Sequence, residues 1–299
     1  MSSITTSAIS NDFSAMSTQK KLPVLANEVG WRCQGTLWTN LTNVCHLLKI
    51  PAPNYSRDDE VLFQHLRFKA GQRIHTIGQH FDSLFIVNSG FLKTVLIDEY
   101  GSEQVLNFPM RGDLLGIDGI YSGHHASETT ALSDCDIIVL PYKIFSNLSR
   151  SYAELEQAMF SVMSRELVRE QIMIGMLSTL SAEAKVARFL TNLAERFAQL
   201  GYSGKIFNLR MTRHEIGSYL GLTLETVSRT LSGFNELGLI TVDQREIGII
   251  DPLALKTLRR LPPAKLRKKM AEQVSERVTA LVSKNLLPQW SKEVAPALV

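Results

Sequence analysis

Around Pro141 the spacing of apolar residues changes its period, and that break restricts this chain to folds joining a β domain to a helical one. Upstream, segments dense in β-branched and aromatic residues cover 84–87, 91–97, 104–108 and 137–140. Gly78, Gly90, Gly101, Gly112 and Gly123 cut this half at intervals of 12, 11, 11 and 11 residues. Short strands with turn residues at that spacing predict an antiparallel sandwich or barrel. The segments share little beyond the glycines, so the spacing reflects architecture and not a solenoid repeat. Ahead of them we expect a flexible leader to about Asn27, a polar, weakly helical stretch holding Cys33 and Cys45, and a short helix over 58–66 with Val61, Leu62 and Leu66 on one side.

Downstream, residues 152–180 contain no Pro and a single Gly, Gly175. Phe160, Met163, Leu167, Glu170, Ile174 and Leu177 step by 3, 4, 3, 4 and 3, the a/d seam of a coiled coil. A seam this narrow suits a two-stranded pair better than the broad stripe of a helix lying on its own domain, so a homodimer is expected. Glu170 interrupts the apolar row and would meet its own symmetry mate. Such a mismatch would keep dimerisation marginal, so that a signal in the roll could tip it; compensation by Arg165 or Arg169, with Glu170 a solvated, paired residue near the seam's edge, is the plainer reading.

A second helix is expected over 181–200, closed by Gly201, and then a short strand over 206–209. Two helical segments follow, parted by Gly221-Leu222. Residues 239–242 and 247–250 flank the polar tip Asp243-Gln244-Arg245-Glu246. Two helices followed by a hairpin is the plan of a winged helix-turn-helix.

The helical pair carries the chemistry. Thr212-Arg213-His214-Glu215 has the spacing of a capping box, so a helix starts there with Ile216, Tyr219 and Leu220 inward. Gly217 is small where a second helix must cross closely, and Gly221 permits the positive φ of a tight turn. Thr223 caps the second helix, with Val227 and Leu231 inward, leaving Glu225, Thr226, Ser228 and Arg229 at its exposed start. That is where a recognition helix presents side chains to the major groove. Arg229 suits guanine, Glu225 suits the cytosine amine, and Ser228 is a versatile short partner. Thr223, Thr226, Arg213 and, at the hairpin tip, Arg245 complete the expected DNA contacts.

The run Gly217-Ser218-Tyr219-Leu220-Gly221-Leu222-Thr223-Leu224-Glu225-Thr226-Val227-Ser228-Arg229 resembles the recognition segment of the CRP/FNR family of bacterial regulators. The Glu225-x-x-Ser228-Arg229 pattern resembles the FNR branch. So do Arg196-Phe197-Ala198-Gln199 through Gly201-Tyr202-Ser203, and Gly116-Ile117-Asp118 with Ser122-Gly123-His124-His125. The resemblance covers about 68–250. It implies an α+β fold: an N-terminal antiparallel β-roll sensor domain like the cyclic-nucleotide-binding domain, a long dimerisation helix and a C-terminal winged helix-turn-helix. The expected division is 1–57 leader and N-terminal segment, 58–150 β-roll, 151–180 dimer helix, 181–256 DNA-binding domain and 257–299 basic extension. A homodimer on a palindromic promoter site with TTGAT-like half-sites is implied, as activator or repressor. The loop Ile97-Asp98-Glu99-Tyr100-Gly101-Ser102 resembles the segment with which relatives touch RNA polymerase, and is equally readable as a plain hairpin tip.

The resemblance stops short of a known signal. Oxygen-sensing members hold an iron–sulfur cluster on closely spaced N-terminal cysteines plus one in the roll. Here eleven residues separate Cys33 from Cys45, and Ile138, not Cys135, takes the roll position, which argues against a cluster and for free buried thiols. Cyclic-nucleotide binders use a Glu for the ribose and an Arg for the phosphate, where this chain has Ile117 and Ser127, which argues against cyclic AMP. Haem stays open as an alternative, since Cys45-His46 and His124-His125 offer axial ligands, although turn-stabilising or surface histidines are the plainer reading. A haem- or redox-responsive regulator, and a ligand-binding module without DNA, are the alternative functions; Glu225, Ser228 and Arg229 speak against the second. An enzyme is not expected, because no nucleophile–base pair, metal-ligand cluster or P-loop occurs.

Charge and hydropathy bound the rest. From Lys256 onward ten Lys/Arg face three Asp/Glu, while the whole chain carries a net charge of only +3. A basic tail on a mildly acidic body suits a polyanion, or simply a solvated helix face. Lys265, Arg267, Lys268, Lys269 and Arg277 are candidates for flanking phosphates, with a helix packed by Val274, Val278 and Leu281 as the plainer reading. No run of 18 apolar residues occurs, the start has no cationic stretch leading into an apolar one, and three cysteines make no disulfide framework, so a cytoplasmic protein is expected.

Overall fold

The computed structural model describes residues 37–52 and 61–262. The leader, Cys33, the start of the expected 58–66 helix and the extension beyond Pro262 lie outside the described residues. Along the chain come β1 (Trp38–Asn40), α1 (Leu41–Leu48), β2 (Leu62–Phe68), β3 (Arg73–His75), β4 (Ser83–Ser89), β5 (Leu92–Ile97), β6 (Glu103–Asn107), β7 (Leu114–Leu115), α2 (Gly119–Ser122), β8 (Glu128–Ala131) and β9 (Cys135–Pro141). After Pro141 follow α3 (Tyr142–Ser151), α4 (Ala153–Thr179), α5 (Ala182–Gln199), β10 (Ile206–Asn208), α6 (Arg213–Leu220), α7 (Leu224–Glu236), β11 (Ile240–Asp243), β12 (Glu246–Ile249) and α8 (Pro252–Thr257).

The strands before Pro141 pair antiparallel into two sheets, ordered β1-β2-β9-β4-β7 and β3-β8-β5-β6. Leu66, Phe68, Ile74, Phe85, Val87, Leu92 and Ile137 form the core of the roll. A second core, of Phe63, Leu84, Ile86, Ile138 and Leu140, is closed by α1, α3 and the start of α4 through Val44, Leu48, Phe145, Leu155 and Val162. All five spaced glycines have φ between +74° and +99°, so each marks a real turn. The helix expected over 58–66 is a correction: residues 62–66 are strand β2, hydrogen-bonded on both sides, to β1 and β9. Phe63 enters one core while Leu66 and Phe68 enter the other, so burial on both faces erased the alternation that marks a strand.

Helix α4 carries two apolar faces. Leu155, Ala158 and Val162 pack on the roll and Met176 on the C-terminal domain. Of the seam, Phe160, Leu167 and Ile174 are 63%, 58% and 66% exposed, and Met163 and Leu177 are half-buried. Val168 and Ile172 widen this uncovered face. Glu170 is exposed and makes no ion pair among the described residues. The arginines near it in sequence make contacts within their own chain. Arg165 Nη1 donates to Leu48 O (3.3 Å), and Arg169 Nη1 pairs with Glu166 (2.8 Å) and Asp113 (3.2 Å).

The C-terminal domain buries Val186, Leu190, Phe197, Phe207, Ile216, Val227, Leu231, Phe234, Ile247 and Leu255 in one core. Val95, Val105, Phe108 and Met110 of the roll join the same core, so the two halves are continuous.

Candidate nucleic-acid interface

The capping box at Thr212 closes in both directions: Thr212 Oγ1 accepts from Glu215 N (3.2 Å), and Glu215 Oε2 accepts from Thr212 N (2.7 Å). Helix α6 therefore begins with its first amides satisfied. It ends at Gly221, whose φ of +61° turns the chain sharply. Leu222 N donates to Gly217 O at 2.8 Å, and a Cβ on Gly217 would stand 2.6 Å from the Leu222 carbonyl oxygen. The expected close crossing at Gly217 is thus an approach of backbone to backbone inside the turn.

Thr223 Oγ1 accepts from Thr226 N (3.2 Å) and caps α7. Val227, Leu231 and Phe234 are 0%, 2% and 0% exposed, which fixes the roll of the helix about its axis. That anchoring leaves Glu225 and Arg229 exposed and Thr226 and Ser228 half-buried at its N-terminal end. The Glu225 carboxyl is held below its ordinary range by the helix's own backbone amide, then by Thr223, so it is an anion at neutral pH. Arg213, the first residue of α6, donates from Nη1 to Ser228 Oγ (3.3 Å) and ties the start of one helix to the edge of the other.

The hairpin of β11 and β12 pairs Asp243 with Glu246 and turns through Gln244 and Arg245, with Gln244 at φ +49°. Leu209 N donates to Arg245 O (2.8 Å), which holds the tip against β10 while the Arg245 side chain stays exposed. At the 97–102 loop, Asp98 Oδ1 accepts from the amides of Tyr100 (2.9 Å) and Ser102 (2.8 Å), and Tyr100 is 92% exposed. Asp98 thus builds the tip that displays Tyr100.

Contacts that hold this domain to the roll had no sequence signal. Strand β6 is a sheet edge, and α6 covers it. Val105 N donates to Ser218 Oγ (2.8 Å), whose hydroxyl donates in turn to Glu103 O (3.1 Å), and Gln104 Nε2 donates to Ser218 O. Lys93 Nζ lies between Glu103 (3.1 Å) and Glu215 (3.2 Å). Asp113 joins three elements, accepting from Met110 N (2.9 Å), Arg169 and Arg196. These partners lie far apart in sequence, so spacing could not find them.

The position that would face a cyclic phosphate is occupied from within the chain. Ser127 N, Ser127 Oγ and Ala126 N all donate to Asp118 Oδ2, at 2.8, 2.7 and 3.0 Å. Ser127, which stands where the cyclic-nucleotide binders have their arginine, thus gives its donors to an internal carboxylate, and an anionic phosphate there would meet the Asp118 charge. Burial raises the Asp118 carboxyl, yet hydrogen bonds from His125 and Ser127 and the neighbouring His75 hold it well below the ordinary carboxylate range. His125, expected at a turn or on the surface, is 3% exposed and stacked on His75 at 4.1 Å, whereas His124 is exposed with Nδ1 at 3.3 Å from Ser122 O. Of the cysteines, Cys45 lies in the core under α1 and Cys135 in the core of the roll, so they do not converge on one centre. Burial pushes the Cys45 thiol up to about 11 and Cys135 upward too, which favours the thiol over the ligating thiolate.

Two family models match the chain: a Crp-like helix-turn-helix domain over residues 184–258 and a cyclic nucleotide-binding domain over 65–152. The chain is 38% identical over 218 residues to the transcriptional regulatory protein btr of Bordetella pertussis, covering 73% of this chain and 90% of that one. It is 40% identical over 200 residues to the fumarate and nitrate reduction regulatory protein of Escherichia coli, covering 67% and 80%. Among solved structures, FixK2 from Bradyrhizobium japonicum shares the fold with a TM-score of 0.61 and 22% identity, over 68% of this chain and 100% of that one.

Proposed function

From the premise that this chain belongs to the CRP/FNR family of transcription regulators, with a helix-turn-helix DNA-binding domain, we propose that it binds a palindrome with TTGAT-like half-sites as a homodimer. The observation that carries the reading is the edge of α7: Glu225, Thr226, Ser228 and Arg229 face outward because Val227, Leu231 and Phe234 anchor the opposite side. In this reading Arg229 grips a guanine, Glu225 accepts from the cytosine amine, Ser228 contacts a base, and Thr223, Thr226, Arg213 and Arg245 complete the footprint. The uncovered α4 face of Phe160, Leu167 and Ile174, extended by Met163, Glu170 and Leu177, is the dimer seam. Residues Ile97, Asp98, Tyr100 and Gly101 form the contact with RNA polymerase. The protein acts in the cytoplasm, as a regulator and not as a catalyst; no helix among the described residues is long and apolar enough to cross a membrane. The working units are 58–150, 151–180 and 181–256, flanked by 1–57 and 257–299.

Gel shifts test it. Arg229→Ala should cost about 1–3 kcal/mol on a TTGAT palindrome and relax selectivity at one base pair. Glu225→Ala should weaken specific binding more than binding to random DNA, since a carboxylate has no attraction for phosphate. Arg245→Ala should flatten the salt dependence by about one phosphate. Equal losses on palindrome and random DNA for the Arg229 and Glu225 variants would overturn the assignment.

A further inference from the structure

Ser228 is held in a defined hydrogen-bonding state, and its consequence for base reading rests on the proposed role of α7 as the base-contacting helix. Arg213 Nη1 donates to Ser228 Oγ at 3.3 Å. A guanidinium can only donate, so the serine oxygen is the acceptor and its own proton is not used there. Several other hydroxyls inside helices of this chain turn back on their backbone. Ser149 donates to Phe145 O, Ser161 to Gln157 O, Thr191 to Ala187 O and Thr257 to Leu253 O, at 3.0 to 3.1 Å. Ser228 makes no such bond to Leu224 O; among the described residues Arg213 is its hydrogen-bond partner.

We infer that Arg213 sets the polarity of Ser228, turning it into a hydrogen-bond donor that selects thymine O4 and rejects the cytosine amine at its base pair. The physical reason is twofold. A cationic donor draws electron density from the hydroxyl oxygen, which strengthens its O–H as a donor and weakens its remaining lone pair as an acceptor. A base amine approaching that oxygen would also bring its own partial positive charge toward the guanidinium. Thymine O4 accepts and carries no hydrogen, so it meets the free proton directly. Arg213 is in this sense a positioning residue: it fixes what Ser228 reads without touching the base.

The experiment uses full-length protein and TTGAT palindromes in which each T·A pair in turn is replaced by 5-methylcytosine·G. The swap keeps the pyrimidine methyl group, exchanges its O4 for an amine and, on the purine, exchanges the adenine amine for guanine O6. At one position the wild type should discriminate about tenfold, the value of one net hydrogen bond. Ser228→Ala and Arg213→Ala should both lose that discrimination, and Arg213→Lys, still a cationic donor, should retain it. The readout is the ratio of affinities for two duplexes within one protein, so neither a smaller folded fraction nor a lost phosphate contact moves it. If Ser228→Ala loses the discrimination but Arg213→Ala keeps it, Ser228 reads a base unaided and the inference falls. A preference for 5-methylcytosine at the Ser228-dependent position overturns it as well. If Ser228→Ala changes no ratio anywhere, the base contact of Ser228 itself fails, and the inference with it.

Discussion

Acidification from about pH 7.5 to about pH 5 should remove about 2 kcal/mol of folding stability through one side chain, His75. The imidazole is 1% exposed and stacked on His125. Its Nδ1 lies 3.1 Å from the Ser127 carbonyl oxygen, which only accepts, so the neutral ring carries its proton on that nitrogen. Nε2 is buried with no hydrogen-bond partner. A second proton would therefore place an N–H where nothing accepts it. Burial and then His125 lower the pKa from the ordinary 6.5 to about 4, and the Asp118 charge and Ser127 carbonyl offset only part of this. The unfolded chain takes up the proton near pH 6.5 and the folded one near pH 4. Between those values the unfolded state binds more protons, so stability falls as pH falls. At about 1.4 kcal/mol per pH unit the whole window is worth about 3 kcal/mol, of which about two-thirds is lost by about pH 5. Asp118, whose folded pKa is depressed, contributes stability that is lost only below its ordinary 3.8, outside this window. Urea unfolding at both pH values checks the argument, comparing wild type with His75→Asn, whose amide can still donate to Ser127 but does not titrate. The variant should be less stable at about pH 7.5 and lose about 2 kcal/mol less on acidification. Equal losses in the two proteins would refute the assignment of the window to His75.

Gly217→Ala forces a Cβ to 2.6 Å from a backbone oxygen that cannot retreat without opening the turn, so it should cost about 1–3 kcal/mol in thermal unfolding and weaken DNA binding with it. Glu170→Leu replaces a carboxylate that has no ion-pair partner among the described residues, so sedimentation at several concentrations should show a tighter dimer; an unchanged one would remove Glu170 from the seam. Ser218→Ala strips the acceptor from Val105 N and the donor from Glu103 O. Amide exchange at Val105 should rise severalfold at a cost of about 1–3 kcal/mol, while β4 and β9 stay protected.

How much is legible in the sequence depends on where the hydrogen-bonding partners sit along the chain. Thr212 with Glu215 and Thr223 with Thr226 are three residues apart, and both caps form as their spacing predicts. The regularly spaced glycines mark turns because only a local φ is at stake. Strand β2 imitates a helix because Phe63 and Leu66 enter cores on opposite faces of the sheet while Leu62 stays exposed, and a run that is apolar on both sides has lost its period. His125 is hidden for a related reason: next to Gly123 and His124 it looks like a turn residue, and the rings of His75, Phe81 and Phe85, all distant in sequence, make it core. Arg165 and Arg169 lie near Glu170 in sequence, but their contacts with Leu48 and Asp113, brought in by α1 and the β6–β7 turn, have no signal in the spacing.

By itself, then, the sequence determined the order of the β-roll, long helix and helix-turn-helix, the caps and turns that start and stop the recognition pair, and the polar edge of α7. All of these are set by φ preferences and by neighbours within one helical turn. Only the tertiary structure decided that α6 seals the β6 edge through Ser218 and Lys93, that Asp113 binds α4 and α5 to the roll, that Asp118 takes the donors of Ala126 and Ser127, and that Arg213 donates to Ser228. Each of those joins groups separated by 8 to 122 residues. A hydrogen bond acts over about 3 Å of space whatever the length of chain between its ends, so such partners are chosen by packing and not by pattern.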